Sequence, residues 1–242
     1  MRMGRIAWLA IVLAVLAAGP AMAQQVTLDF GEGATVSARV IQLFLLVTVL
    51  SLVPGLAVMV TCFPFIVTVL SILRQAIGLQ QAPPNMLIIS LSLFLTWFVM
   101  DPVFTQAWTE GIEPLTRNAL PVDQAITATL APFRAFMTAR LDPDTYAALA
   151  ALRPTAPPAL PDAPLSLLVP SFLLSEVQRA FEIGFLIFLP FLIIDLVVAA
   201  VLMSMGRMMV PPAVVSLPFK LAFFVVADGW TLISGALVRS YF

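Results

Sequence analysis

Three ionisable residues stand in stretches that otherwise want lipid or protein around them. Asp195 lies in "IGFLIFLPFLIIDLVVAAVLM" (Ile183 to Met203), and Lys220 and Asp228 lie in "AVVSLPFKLAFFVVADGWTLISGALV" (Ala213 to Val238). A charge at the centre of a membrane span costs about 2.5–3.5 kcal/mol on insertion scales, so each needs a partner or a cavity. If the last run is one helix, Lys220 and Asp228 sit about 80° apart around it, sharing a side without touching. Antiparallel packing of the two runs brings Asp195 near Lys220. The chemistry open to such a trio is a proton relay or an ion site. The alternative is a buried pair that fixes helix register.

The stretch "SEVQRAFEIGF" carries Glu176, Arg179 and Glu182 at the opening of the third apolar run. Glu176 and Arg179 are i,i+3 neighbours able to pair on a helix face, which reads as a solvated or interfacial helix end. The chain has no histidine and one cysteine, Cys62. That excludes an intrachain disulfide and starves any His/Cys metal site of ligands. Cys62, inside an apolar run, reads as a small core residue. With no nucleophile–base pairing, metal cluster or phosphate-cradling glycine loop, the expectation is no enzyme and no cofactor.

A fourth feature is "MSMGRMMVPP" (Met203 to Pro212), a turn between two apolar runs. Methionine is flexible and polarizable and re-packs as its neighbours change. Irregular backbone at membrane depth is tolerated only where it is buried in protein or lines a water-filled path. Met203, Met205, Met208 and Met209 around Gly206 therefore suit a soft apolar constriction that closes by collapse and dewetting. Ordinary core filling is the competing use.

The elements that position these residues follow from composition. The 242 residues are 61% hydrophobic and 10% charged, against about a quarter charged in soluble domains, so this is a membrane protein. A net charge of −1 without a basic stripe argues against a nucleic-acid partner. Residues 1–23 read as a signal peptide: Arg2 and Arg5, then "IAWLAIVLAVLAA", then "AMA" at the cleavage positions. Residues 24–39 form a polar lead.

Residues 40–104 read as a first apolar helical pair. No charge falls between Arg39 and Arg74, a run of about 51 Å as one helix against a hydrocarbon core of about 30 Å. Pro54-Gly55 and Pro64 lie inside it, so a bent or broken helix is expected. "RQAIGLQQAPPN" (Arg74 to Asn85) reads as a connector, with Gly78 as a C-cap. The next helix, "MLIISLSLFLTWFVM", reaches only to Asp101-Pro102.

Residues 105–170 hold ten of the twenty-five charged residues and ten of the twenty prolines, a water-facing insertion in which "RPTAPPALPDAP" is an irregular linker. Residues 171–242 form a C-terminal apolar pair. The short connectors hold Arg74 and Arg207, which places them in the cytoplasm by the positive-inside tendency and the insertion outside, in a bacterial periplasm.

Three stretches carry a family resemblance: "FLIFLPFLIIDLVVAAVLMSMGRMMVPP", "SLPFKLAFFVVADGWTLISGAL" and "QQAPPNMLIISLSLFLTWFVMDPV". They resemble the FliP/SctR family of type III export-gate proteins over nearly all of the chain after residue 23. The resemblance implies an all-α integral membrane subunit of kinked helical hairpins with an extracytoplasmic insertion, in the inner membrane at the flagellar basal body. It implies a homo-oligomer with FliQ-like and FliR-like subunits and FlhB-like and FlhA-like export components, through which unfolded flagellar proteins pass. It also implies that Met205, Arg207, Met208 and Met209 form a gasket around the path, with Arg207 standing where the family usually has a third methionine. Pro64 and Phe65 stand where relatives tend to have a polar residue and an arginine. An injectisome gate subunit is the nearer alternative reading, and a proton-coupled transporter using Asp195, Lys220 and Asp228 the more distant one.

Overall fold

The computed structural model describes residues 36–79, 83–154, 160–205 and 211–242. The signal-peptide reading of residues 1–23, most of the polar lead, and Arg207, Met208 and Met209 fall outside the described residues. The chain divides into two units, Met1–Leu50 and Ser51–Phe242. The first contributes the opening turns of α1 (Val36–Met59), an apolar helix whose side chains from Val40 to Leu50 are exposed.

In the second unit α1 runs on past Pro54-Gly55, and the break expected in this run falls at residues 60–62. Thr61 fixes it by donating its hydroxyl to the Val58 carbonyl (2.9 Å) and accepting the Phe63 N–H (3.4 Å). Pro64 then sits in the first turn of α2 (Phe63–Ile77), where a missing N–H costs nothing. It starts that helix rather than bending it.

The helix expected to stop at Asp101-Pro102 does not stop there. α3 (Asn85–Ala107) carries Pro102 inside it and passes through a π-helical turn (Trp108–Ile112) into α4 (Glu113–Thr116). An interior proline forfeits one hydrogen bond, but packing on the far side of it outweighs the loss. Phe104 meets Phe133 of α5 (Val122–Arg140) with ring centroids 5.9 Å apart. Gly111 in the π turn lies so close to α5 that a Cβ would stand 2.6 Å from the Thr129 backbone nitrogen. Residue 105, the expected start of the insertion, therefore falls inside a helix rather than after one.

Residue 170, the expected far end of that segment, likewise falls inside a helix. α6 (Pro143–Ala150) is followed by a 3-10 turn (Leu160–Asp162), and α7 begins at Leu165, directly after the proline-rich stretch. α7 (Leu165–Ser204) is one helix of 40 residues with Pro170 and Pro190 inside it, about 60 Å long at 1.5 Å per residue. The last run is not a single helix. α8 (Pro212–Val226) and α9 (Gly229–Arg239) meet at a 61° bend.

α2 is the centre of the unit, with Phe65, Ile66, Val69, Leu70, Leu73 and Ile77 buried. It packs against α7, where Gly184 admits Ile72: a Cβ there would lie 2.4 Å from Ile72 Cδ1. Around this core the outer faces stay apolar, with Phe94, Trp97 and Phe98 on α3 and Phe181, Phe185 and Leu196 on α7 exposed. Such surface is covered at low cost only by lipid or protein. Among the described residues Val40–Met59, Asn85–Thr116 and Leu165–Ser204 are long and apolar enough to cross a membrane, and the bent α8–α9 pair would be a fourth span. The chain is an all-α membrane protein.

Candidate functional site

The apolar runs that flank the methionine turn are tied together by the first pair of charges. Asp195 lies toward the end of α7, and Ser216 and Lys220 share one face of α8 at i,i+4 spacing. Lys220 Nζ stands 2.6 Å from Asp195 Oδ2, while the Ser216 hydroxyl donates to Asp195 Oδ1 at 2.6 Å. The ammonium makes a second donation, to the Ala76 carbonyl at 3.0 Å. That carbonyl is one of those orphaned at the end of α2. Gly78, at φ 90°, turns the chain out of α2 there, and a Cβ on it would lie 3.9 Å from Lys220 Nζ. One buried lysine thus joins α7, α8 and the end of α2.

Asp228 is not part of this pair. It sits at the bend between α8 and α9 with φ 48°, where its carboxylate accepts from Thr231 Oγ1 at 3.2 Å. The reading of Lys220 and Asp228 on one helical side fails because the helix ends between them. Gly229 follows, so close to Phe224 that a Cβ would stand 2.2 Å from the ring, and Trp230 packs edge-on against the same ring at 5.4 Å. The "DGW" stretch is therefore the geometry of a bend.

Met205 caps the end of α7, just past Ser204, and is 65% exposed. Beside it an apolar groove of about 540 Å³ runs between α7 and α8, lined by Ile193, Val197, Val201, Met205, Val215 and Phe219 among others. Its wall is aliphatic and aromatic without a charged side chain.

The second charged group differs from the expected helix end. Glu176 lies well inside α7 and is fully buried. Arg179 Nη1 is 3.7 Å from its Oε1, as i,i+3 spacing allows, but the closer partner is Arg140 at the end of α5, with Nε 3.0 Å away. Tyr241 donates its hydroxyl to Glu176 Oε2. Arg140 also covers the Tyr241 ring at 4.0 Å and donates from Nη1 to the Ser240 carbonyl at 2.8 Å. Burial, reinforced by the Glu176 charge, pushes the Tyr241 phenol up from its ordinary value, so it stays a donor.

Ser216, Arg140 and Tyr241 are the members that sequence reading missed. Ser216 had a signal, its i,i+4 relation to Lys220. Arg140 and Tyr241 had none, being 36 and 65 positions from Glu176.

Long broken helices, an apolar exterior and sparse, paired internal charges define a helical membrane protein held by polar ties. A profile of the FliP family matches residues 46–237. The chain is 48% identical over 233 residues to the flagellar biosynthetic protein FliP of Caulobacter vibrioides, covering 96% of this chain and 88% of the relative. It is 46% identical over 239 residues to that of Agrobacterium fabrum, covering 96% and 98%, and 46% identical over 202 residues to that of Bacillus subtilis, covering 83% and 91%. The chain belongs to the FliP family.

Proposed function

We propose that the chain is a pore-forming structural subunit of the flagellar type III export gate, passing unfolded flagellar proteins across the inner membrane. In this reading several copies assemble with FliQ-like and FliR-like subunits, beside FlhB-like and FlhA-like components, with residues 105–170 facing the periplasm. Membership of the FliP family and the relatives' names support the flagellar assignment.

The observation that carries the mechanism is the tie between the two helices on either side of the methionine turn. Asp195, Ser216 and Lys220 fix α7 to α8, and Lys220 fixes both to the end of α2. A turn anchored at both sides can hold Met205, Met208 and Met209 toward a path while their thioethers re-pack. Copies arranged around an axis would close that path with an apolar, dewetted ring. Arg207 adds a charge to each copy of the turn, and such a ring would repel cations. The subunit performs no bond-making step, and the work of export comes from other components.

The test is ion leakage in cells expressing the assembled gate. Met208→Gly combined with Met209→Gly is expected to raise leakage while the assembly persists. Leakage equal to wild type, in assemblies of normal amount, would overturn the gasket role.

A further inference from the structure

The buried cluster around Glu176 has a feature that the gate mechanism does not use. Its members come from α5 (Arg140), α7 (Glu176, Arg179) and the residues just after α9 (Ser240, Tyr241). The segment after α9 is thus gripped by its side chain and its backbone at once. The Tyr241 ring is held between aromatic neighbours as well, stacked on Phe136 of α5 at 6.0 Å and edge-on to Phe65 of α2 at 5.6 Å. A second tie lies beside the first: the Asp142 N–H, just past α5, donates to Ser175 Oγ of α7 at 3.0 Å.

We propose that Tyr241 is a latch, whose hydroxyl on Glu176 locks the end of α9 to the insertion helix α5 and to α7 and seals the core of α2 beneath it. Charge and burial are matched for that purpose. Glu176 is wholly inside the protein, and a buried carboxylate that loses a donor keeps its desolvation cost. The docked state is therefore sharply favoured over any state with Tyr241 withdrawn. The latch joins the insertion to the bent α8–α9 pair, so the periplasm-facing part and the helix after the methionine turn move together.

Cys62 is a built-in reporter of this state. It is the single cysteine, fully buried, one turn before Phe65, and burial pushes its thiol up to about 12. In the latched protein it has neither access nor thiolate character. The experiment is the rate of N-ethylmaleimide labelling of the full chain in detergent micelles. Tyr241→Phe keeps the ring and removes only the donor, and is expected to speed labelling about tenfold, the shift that losing one hydrogen bond to a charged group gives an opening equilibrium. Phe224→Leu loosens the same core at the α8–α9 bend, away from the latch, and is expected to change the rate less than about twofold. An increase below threefold for Tyr241→Phe, or an equal increase for Phe224→Leu, would overturn the latch.

Discussion

Replacing Lys220 with methionine removes the charge and keeps most of the stem, which isolates what the ammonium does. Two acceptors lose their partner together, Asp195 Oδ2 at 2.6 Å and the Ala76 carbonyl at 3.0 Å. Breaking a buried ion pair from one side costs about 3–5 kcal/mol. Two facts place this case at the low end. The Asp195 side chain is 35% exposed, and it keeps the Ser216 hydroxyl at 2.6 Å. The carbonyl is one of the orphans at a helix end, so its loss overlaps with the first rather than adding to it. The expected cost is about 3 kcal/mol, or roughly 6–12 °C of melting temperature for a chain of this size. Asp195→Asn should cost at least as much, because the lysine it strands is only 8% exposed. Removing both charges should recover part of the loss, since nothing charged is then left unpaired. Thermal unfolding of the three variants in one detergent forms the cycle. Single variants that melt within about 2 °C of wild type, or a double variant equal to the sum of the singles, would refute the brace.

Further consequences follow from close approaches and from the capping of α6. Gly111→Ala should cost about 1–3 kcal/mol, because the new methyl meets α5 backbone that cannot yield as a side-chain tip would; an unchanged melting temperature would contradict the contact. Gly184→Val should likewise loosen the α2–α7 crossing, read as lower thermal stability, since Ile72 already fills the space. Asp142 accepts the Thr145 hydroxyl at 2.7 Å and its N–H at 2.8 Å, and these donations hold its carboxyl below the ordinary value of 3.8. A depressed value stabilises the fold above pH about 4 and loses that contribution as the pH falls further. Asp142→Asn should therefore flatten the acid limb of the stability profile, and an identical limb would show that the cap carries no such linkage.

Much of the architecture is legible in the chain because lipid-facing sequence tolerates so few charges. Asp195 and Lys220 announce themselves by standing in apolar runs, and their pairing follows from two helices joined by a short turn. Asp228 misleads by the same logic, since the break beside it depends on Gly229 yielding space to Phe224. Pro102 misleads in the opposite sense: a residue that ends helices in water is carried through when flanking apolar side chains are packed on both sides of it. Glu176 shows the deeper limit. Its i,i+3 partner Arg179 is local and readable, but Arg140 at the end of α5 and Tyr241 after α9 reach it only through tertiary packing, and no periodicity records that packing. The methionine turn is recognisable by composition and by family resemblance, not by geometry, because its central residues fall outside the described ones.

Flagellar protein export is the property that most directly tests the gate assignment. Deleting the coding sequence from its host and measuring filament protein in the medium, with a plasmid copy as the control, puts the gate assignment at risk in one step. Extracellular filament protein and swimming are expected to disappear together and to return with the plasmid. Export and swimming that continue in the deletion strain would contradict the flagellar gate.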